Sequence, residues 1–180
     1  MSSWGATTAD EAKPKYLTDA EKRDVYATTA GWTAPAGGNP DGAREVLVAI
    51  RSLSGATKLG EATISSVSWN DTTYSLAAGD TISVSVNWNE AVTVTSGATM
   101  AVTNTGTGGT HTLTAGASTS NRATFELVMA ANVATWAADD VLSIAAQTIS
   151  GTIVGGDGAT ASKAISATNG SGAGTVTVVA

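Results

Sequence analysis

Eight residues, Thr81-Ile82-Ser83-Val84-Ser85-Val86-Asn87-Trp88, alternate strictly between apolar and small polar side chains. A period of two puts Ile82, Val84, Val86 and Trp88 on one face of a strand and Thr81, Ser83, Ser85 and Asn87 on the other. One face is then core and the other solvated. Arg122 to Met129 repeats the pattern with Phe125, Leu127 and Met129 inward, and Val141 to Ile149 does so with Leu142 and Ile144. Shorter strands are expected at Val92–Val94, Met100–Val102 and Thr110–Thr114. Gly, Asn and Asp turn signals recur between them at the ~8–12 residue spacing of a β-sandwich. Thr175 to Val179 reads as a terminal strand that pairs outside its own sheet, after the glycine-rich linker Gly170-Ser171-Gly172-Ala173-Gly174.

Charge divides the 180 residues unevenly. Residues 1–60 hold seven basic and seven acidic groups, whereas residues 61–180 hold eight acids against Arg122 and Lys163 and carry the whole net charge of −6. All three prolines, Pro14, Pro35 and Pro40, lie in the first part. Such a shift separates an arm (1–59) from a β-sandwich (60–168), followed by the linker and terminal strand (169–180), with the seam near Gly55 to Gly60. Within the arm, Thr18-Asp19-Ala20-Glu21 forms a capping box that starts a short helix running to about Ala27. A Pro/Gly/Asn loop over Ala34–Gly42 then joins two strands of a hairpin, near 30–34 and 44–50. The helix is too short to be stable alone, so it must pack on something.

An acidic chain lacking Lys/Arg clusters is a poor nucleic-acid binder, since phosphate binding depends on such clusters releasing counterions. No cysteine is present for a disulfide or thiolate site. The start has no basic, apolar leader, and no run reaches the ~18 apolar residues of a membrane span. Neither a metal nor a cofactor is expected. His111, the sole histidine, shares a strand face with Leu113 and reads as a plain strand residue, because no Gly-x-Ser-x-Gly elbow accompanies it. Asp139-Asp140 reads as a solvated turn rather than a calcium site, which wants 6–8 oxygens. Asn104–Gly109 imitates a phosphate loop, yet no helix follows, so it reads as a hairpin turn. Among the five tryptophans, Trp88 belongs to the core by alternation. Trp4 and Trp32, with Tyr16, lie in the polar arm and read as interface anchors.

Two resemblances add to this reading. Tyr74-Ser75-Leu76-Ala77-Ala78-Gly79-Asp80-Thr81-Ile82, then Trp88-Asn89-Glu90-Ala91-Val92, Phe125-Glu126-Leu127-Val128, Leu142-Ser143-Ile144 and Gly151-Thr152-Ile153 resemble, in order, the pieces of bacterial immunoglobulin-like repeats over residues 61–167. Trp88 stands in the aromatic position. The Asp-Gly-Asn loop of those repeats is represented by Val154-Gly155-Gly156-Asp157-Gly158, without its Asn, so no role tied to that Asn carries over. The arm is similar to something else. Ser3-Trp4-Gly5, Pro14-Lys15-Tyr16-Leu17 and Gly31-Trp32, followed by Glu45-Val46-Leu47-Val48-Ala49-Ile50, look like the N-termini of small virion structural proteins of marine tailed phages, many infecting cyanobacteria. Together they imply an all-β chain, an immunoglobulin-like β-sandwich with an N-terminal arm holding a short helix and a hairpin.

The implied function is that of a non-catalytic virion protein that decorates or cements the capsid by binding the major capsid protein. It would be a homo-oligomer or multi-copy on the capsid surface, with neither membrane nor nucleic acid as partner. The competing expectation is a glycan- or host-surface-binding module of a tail fibre or adhesin, with tryptophans such as Trp136 as sugar platforms.

Overall fold

The alternating run Thr81–Trp88 forms one strand, and the largest sheet is built outward from it. The computed structural model describes residues 13–14, 16–18, 20–38, 43–50, 53, 61–76, 79–106, 109–128, 136–156 and 158–180. Among these the chain runs α1 (Glu21–Asp24), β1 (Tyr26–Thr28), β2 (Gly31–Pro35), β3 (Arg44–Ala49), β4 (Ile64–Trp69), β5 (Thr73–Ser75), β6 (Thr81–Trp88) and β7 (Val92–Val94). It continues through β8 (Thr99–Asn104), β9 (Thr110–Ala115), β10 (Arg122–Val128), β11 (Val141–Ser143), β12 (Gln147–Thr148), β13 (Ile153–Gly155), β14 (Ala164–Ile165), α2 (Ala167–Gly172) and β15 (Thr175–Val179). The fold is mostly β. The seam expected near Gly55–Gly60, and Met129 and Asp157, fall outside the described residues.

Eight strands form one sheet in the order β4-β6-β10-β9-β8-β11-β15-β5. Every pairing is antiparallel except β15 with β5, which is parallel. β4 and β5 are the outermost strands, yet only Asn70, Asp71 and Thr72 lie between them in the chain. At ~3.6 Å per residue, that connection keeps the two edges within about 14 Å, so the sheet curls on itself. The Trp69 indole, on one edge, donates to the carbonyl of Gly174 beside the other at 3.2 Å.

The curl encloses two apolar clusters. The larger joins Val84, Val86 and Trp88 to Met100, Val102, Leu113 and Phe125, all nearly inaccessible. It is closed by Ile144, Ile149, Ile153 and Ile165 from the connection between β11 and β15, in which β12 pairs with β14 while β13 pairs back with β7. Burying these four isoleucines contributes roughly 6–12 kcal/mol before entropy is counted. That is comparable to the net stability of a whole domain, so this connection is part of the core rather than a surface loop.

Several expectations are corrected here. Residues 141–149 form two short strands on different sheets rather than one. The terminal strand β15 pairs inside its own sheet, antiparallel to β11 and parallel to β5. The glycine-rich stretch before it is largely helical: the Ser166 hydroxyl accepts from the Asn169 amide at 3.1 Å and caps α2. Gly170 is required there, since a Cβ would stand 2.6 Å from the Ile144 carbonyl oxygen. The outer face of β6 is not wholly wet. Ser85 and Asn87 are buried, and their polar atoms are satisfied by the Asn70 side-chain Oδ1 at 2.8 Å, the Ser66 hydroxyl at 3.1 Å and the Arg122 Nε at 2.9 Å. Asp140 is likewise buried rather than solvated, accepting from Asn104 Nδ2 at 2.8 Å and the Ala137 amide at 2.9 Å. Asp139 takes the strained turn position, at φ 68°.

His111 lies on the inward face of β9 with Leu113, stacked on Trp136 with ring centroids 3.8 Å apart. Trp136 in turn meets Tyr74 edge-on at 5.3 Å. The His111 Nε2 is buried without a hydrogen-bond partner, and burial lowers the imidazole pKa below its usual value, partly countered by the Asp140 carboxylate. Folding therefore favours the neutral ring, and below the ordinary value near 6.5 the unfolded chain binds more protons. Stability from this group is complete above that pH and is lost as pH falls toward the lowered folded value. The melting temperature should drop between about pH 7 and pH 5 more steeply than in His111→Gln. Parallel pH profiles for the two proteins would contradict this.

Candidate interaction surface

The N-terminal part is the region in which the sequence placed partner-binding residues. Its capping box is present: the Thr18 amide and hydroxyl donate to the Glu21 carboxylate at 2.8 and 2.7 Å, and the Glu21 amide donates to the Thr18 hydroxyl at 3.3 Å. These bonds hold the Glu21 carboxyl below its usual pKa. The helix stops at Asp24, however, short of the expected Ala27. Val25 and Ala27 are both 1% exposed, and only a period of two can bury them together, so burial converts the next residues into β1.

β1, β2 and β3 form a three-stranded antiparallel sheet in that order. The β2–β3 pair is the expected hairpin. Leu47 sits at an irregularity in its register, between Trp32↔Val48 and Thr33↔Val46. One face packs a separate cluster of Val25, Ala27, Trp32, Ile50 and Leu53. Gly31 has φ 128° and its missing Cβ would run into the Val48 carbonyl and the Ile50 amide. Gly31→Ala should cost more than about 1–3 kcal/mol locally and abolish hydrogen-exchange protection in β3. Retained protection would show that the hairpin tolerates displacement here.

This sheet is tied to the large one at β1. The Ala27 amide donates to the Asn89 carbonyl at 3.2 Å, and Asp24 Oδ1 accepts from Arg122 at 2.7 Å. Arg44 braces the same corner by donating to the Asp24 carbonyl at 2.7 Å and stacking 3.7 Å above the Tyr26 ring. Lys13 donates to the Lys22 carbonyl at 2.7 Å, and burial pulls its pKa down to about 8 against the favourable charge of Asp24. β1 thus faces the body, and β3 becomes the outer edge.

That edge has no strand beside it among the described residues. It carries four consecutive apolar residues, Val46-Leu47-Val48-Ala49, and Val46 is 49% exposed. Next to it opens a cavity of about 290 Å³ whose apolar walls include Leu17, Val25, Ala34, Pro35 and Leu47. Among the described residues the charged ones on its lining are Glu21, Asp24 and Glu45, all acidic.

The sequence-selected anchors are distributed differently from expectation. Trp4 lies outside the described residues. Tyr16 is 69% exposed and immediately precedes Leu17 of the cavity wall. Trp32 is 2% exposed, so in this fold it is a core residue and not a surface anchor. Its ring belongs to the cluster on which Leu17, Ala34 and Leu47 pack, and so supports the cavity from below. Glu45, Val46 and Leu47 enter the sequence reading as a hairpin strand and as part of the arm's resemblance, not as partner-binding residues. Their signal was the uninterrupted apolar run after Glu45. As for sugar platforms, Trp136 is 8% exposed, with His111 stacked on its ring and Tyr74 against it edge-on, and Trp88 is fully buried. Comparison with protein-family models, curated proteins and solved structures found no match.

Proposed function

We propose that this chain is a non-catalytic bacteriophage virion protein that decorates or cements the capsid, binding the major capsid protein through its N-terminal three-stranded sheet. The observation that carries the reading is the edge of β3, beside which no strand lies among the described residues. A long apolar edge strand is a hazard that proteins normally block with charge, proline, a bulge or a cover. β3 does carry Arg44, Glu45 and a register irregularity at Leu47, yet Val46 stays 49% exposed and no strand lies beside it among the described residues, so the edge is best explained as an interface completed by another chain. The virion assignment itself rests on the resemblance of Ser3-Trp4-Gly5, Pro14–Leu17 and Gly31–Ile50 to marine phage structural proteins. Repetition over a shell adds avidity to a modest single contact.

The body is read as an immunoglobulin-like sandwich. In that fold the two sheets have orders ABED and CFG. The order β4-β6-β10-β9 followed by β8-β11-β15 supports the assignment when β4, β6, β8, β9, β10, β11 and β15 are taken as A, B, C, D, E, F and G. The halves stay hydrogen-bonded through β9 and β8, and the F-to-G connection is enlarged to hold β12, β13 and β14, with β13 pairing to β7 of the B-to-C connection. Mass spectrometry of purified virions, with a copy-number estimate, tests the function. A fixed stoichiometric ratio to the major capsid protein is expected, and a trace or fibre-level ratio would contradict it.

A further inference from the structure

We infer that the segment docking on β3 is an extended stretch of the partner carrying alternate apolar and basic side chains, which adds as a fourth strand and places an apolar residue in the neighbouring cavity. This deepens, and rests on, the proposed role of the N-terminal sheet. Three observations choose this occupant. Beside β3 no strand lies among the described residues, so its outer edge offers main-chain hydrogen bonding, and β-strand addition draws its affinity from such bonds and its specificity from pockets for alternate side chains. The cavity beside Leu47 supplies the pocket, its volume of about 290 Å³ being of the order of a large side chain with room to spare.

Charge supplies the rest. Glu21 and Glu45 line the cavity with Asp24, and Asp24 alone of the three is salt-bridged to a guanidinium, that of Arg122. A Lys or Arg flanking the apolar anchor would find two carboxylates there, whereas an acidic segment would be repelled. The same argument disfavours a second copy of this chain as occupant, because a symmetric β3–β3 pair would bring two such acidic rims together.

The probe is a capped Lys-Val-Lys-Val-Lys-Val peptide, with Glu-Val-Glu-Val-Glu-Val as its twin, titrated into the full-length protein by calorimetry at about 50 mM salt, where exposed charges are weakly screened. The basic peptide should bind saturably and about tenfold more tightly than its twin. The exposed substitution Glu45→Lys should weaken it by about tenfold, the order expected when one exposed attraction becomes a repulsion. Amide shifts should map to β3. Equal affinity for the two peptides, indifference to Glu45→Lys, or shifts confined to the large sheet would overturn the inference. So would concentration-dependent dimerisation that Val46→Lys abolishes, or peptide binding that appears only after residues 1–12 are removed, since each would identify a different occupant. Particles that retain Glu45→Lys protein at wild-type levels would overturn this inference while leaving the proposed function standing. Basic-peptide binding by a protein absent from virions would do the opposite.

Discussion

Trp88→Ala is expected to destabilise the protein by about 3–5 kcal/mol, the usual cost of emptying a large aromatic site in a packed core. Trp88 ends β6 with 0% exposure, and its indole donates to the Ser162 carbonyl at 2.9 Å. Ser162 belongs to the long connection between β11 and β15, so one side chain fastens that connection to the strand on which the main sheet is built. The substitution opens a cavity and leaves the Ser162 carbonyl without its donor, a further penalty of about 1–3 kcal/mol if no water reaches it. For a chain of this size the melting temperature should fall by roughly 6–20 °C. Trp88→Phe should retain most of the volume but not the hydrogen bond, and lie between. A loss below about 1 kcal/mol for Trp88→Ala would mean that the 144–174 connection does not depend on this contact.

Removing residues 1–59 is expected to abolish retention on particles while leaving a folded β domain. The two large apolar clusters are supplied from Ala62 onward, whereas Val25, Ala27, Trp32, Ile50 and Leu53 form a cluster of their own. Among the described residues, the ties that would be cut are backbone contacts of Ala27 and polar side-chain contacts. Chief among them is Arg122–Asp24, whose partners are both more than a third exposed, a class of pair worth ~0–1 kcal/mol. Arg122 keeps its bond to Asn87 at 2.9 Å. Binding, by contrast, should fall by 100-fold or more, on the order expected when every copy loses its anchoring contact. Circular dichroism and a cooperative melt check the fold, and particle sedimentation checks retention. An unfolded fragment would move the boundary and place the N-terminal sheet within the core. A folded fragment that still sediments with particles would transfer the binding surface to the body. Trp32→Ala would not separate these outcomes, because Trp32 is interior to the N-terminal cluster and its loss should unfold that sheet.

Legibility followed the range of the forces involved. Strands such as β6 and β10 were readable because alternation is local: Ile82, Val84, Val86, Ala123 and Phe125 are buried as their period requires. The capping box was readable because its partners are three residues apart. Errors arose wherever a distant partner decides. Asp140 looked like a solvated turn acid because Asn104, 36 residues away, is not visible in the local pattern. The helix after Thr18 was drawn too long because the burial of Val25 and Ala27 depends on Ile50 and Leu53. α2 was missed because four glycine and serine residues outweighed the Ser166 cap. Trp32 was misjudged for a related reason: few apolar neighbours surround it in sequence, but the hairpin folds Val48 opposite it. The place of β3 at the edge of the N-terminal sheet could not be read at all, since strand order is a property of the whole topology.

Chemical cross-linking of intact virions with an amine-reactive reagent tests most directly whether the N-terminal sheet grips the shell. Four of the five lysines, Lys13, Lys15, Lys22 and Lys58, lie in the first 60 residues, and Lys163 is the only one in the body. Burial holds the Lys13 amine near a pKa of about 8, which makes it partly neutral and reactive in mildly alkaline buffer. Cross-links from Lys13 or Lys22 to the major capsid protein, with Lys163 unlinked to it, are the predicted result. Cross-links to the capsid from Lys163 alone, or none from any lysine of a protein that is present in the particle, would contradict the account.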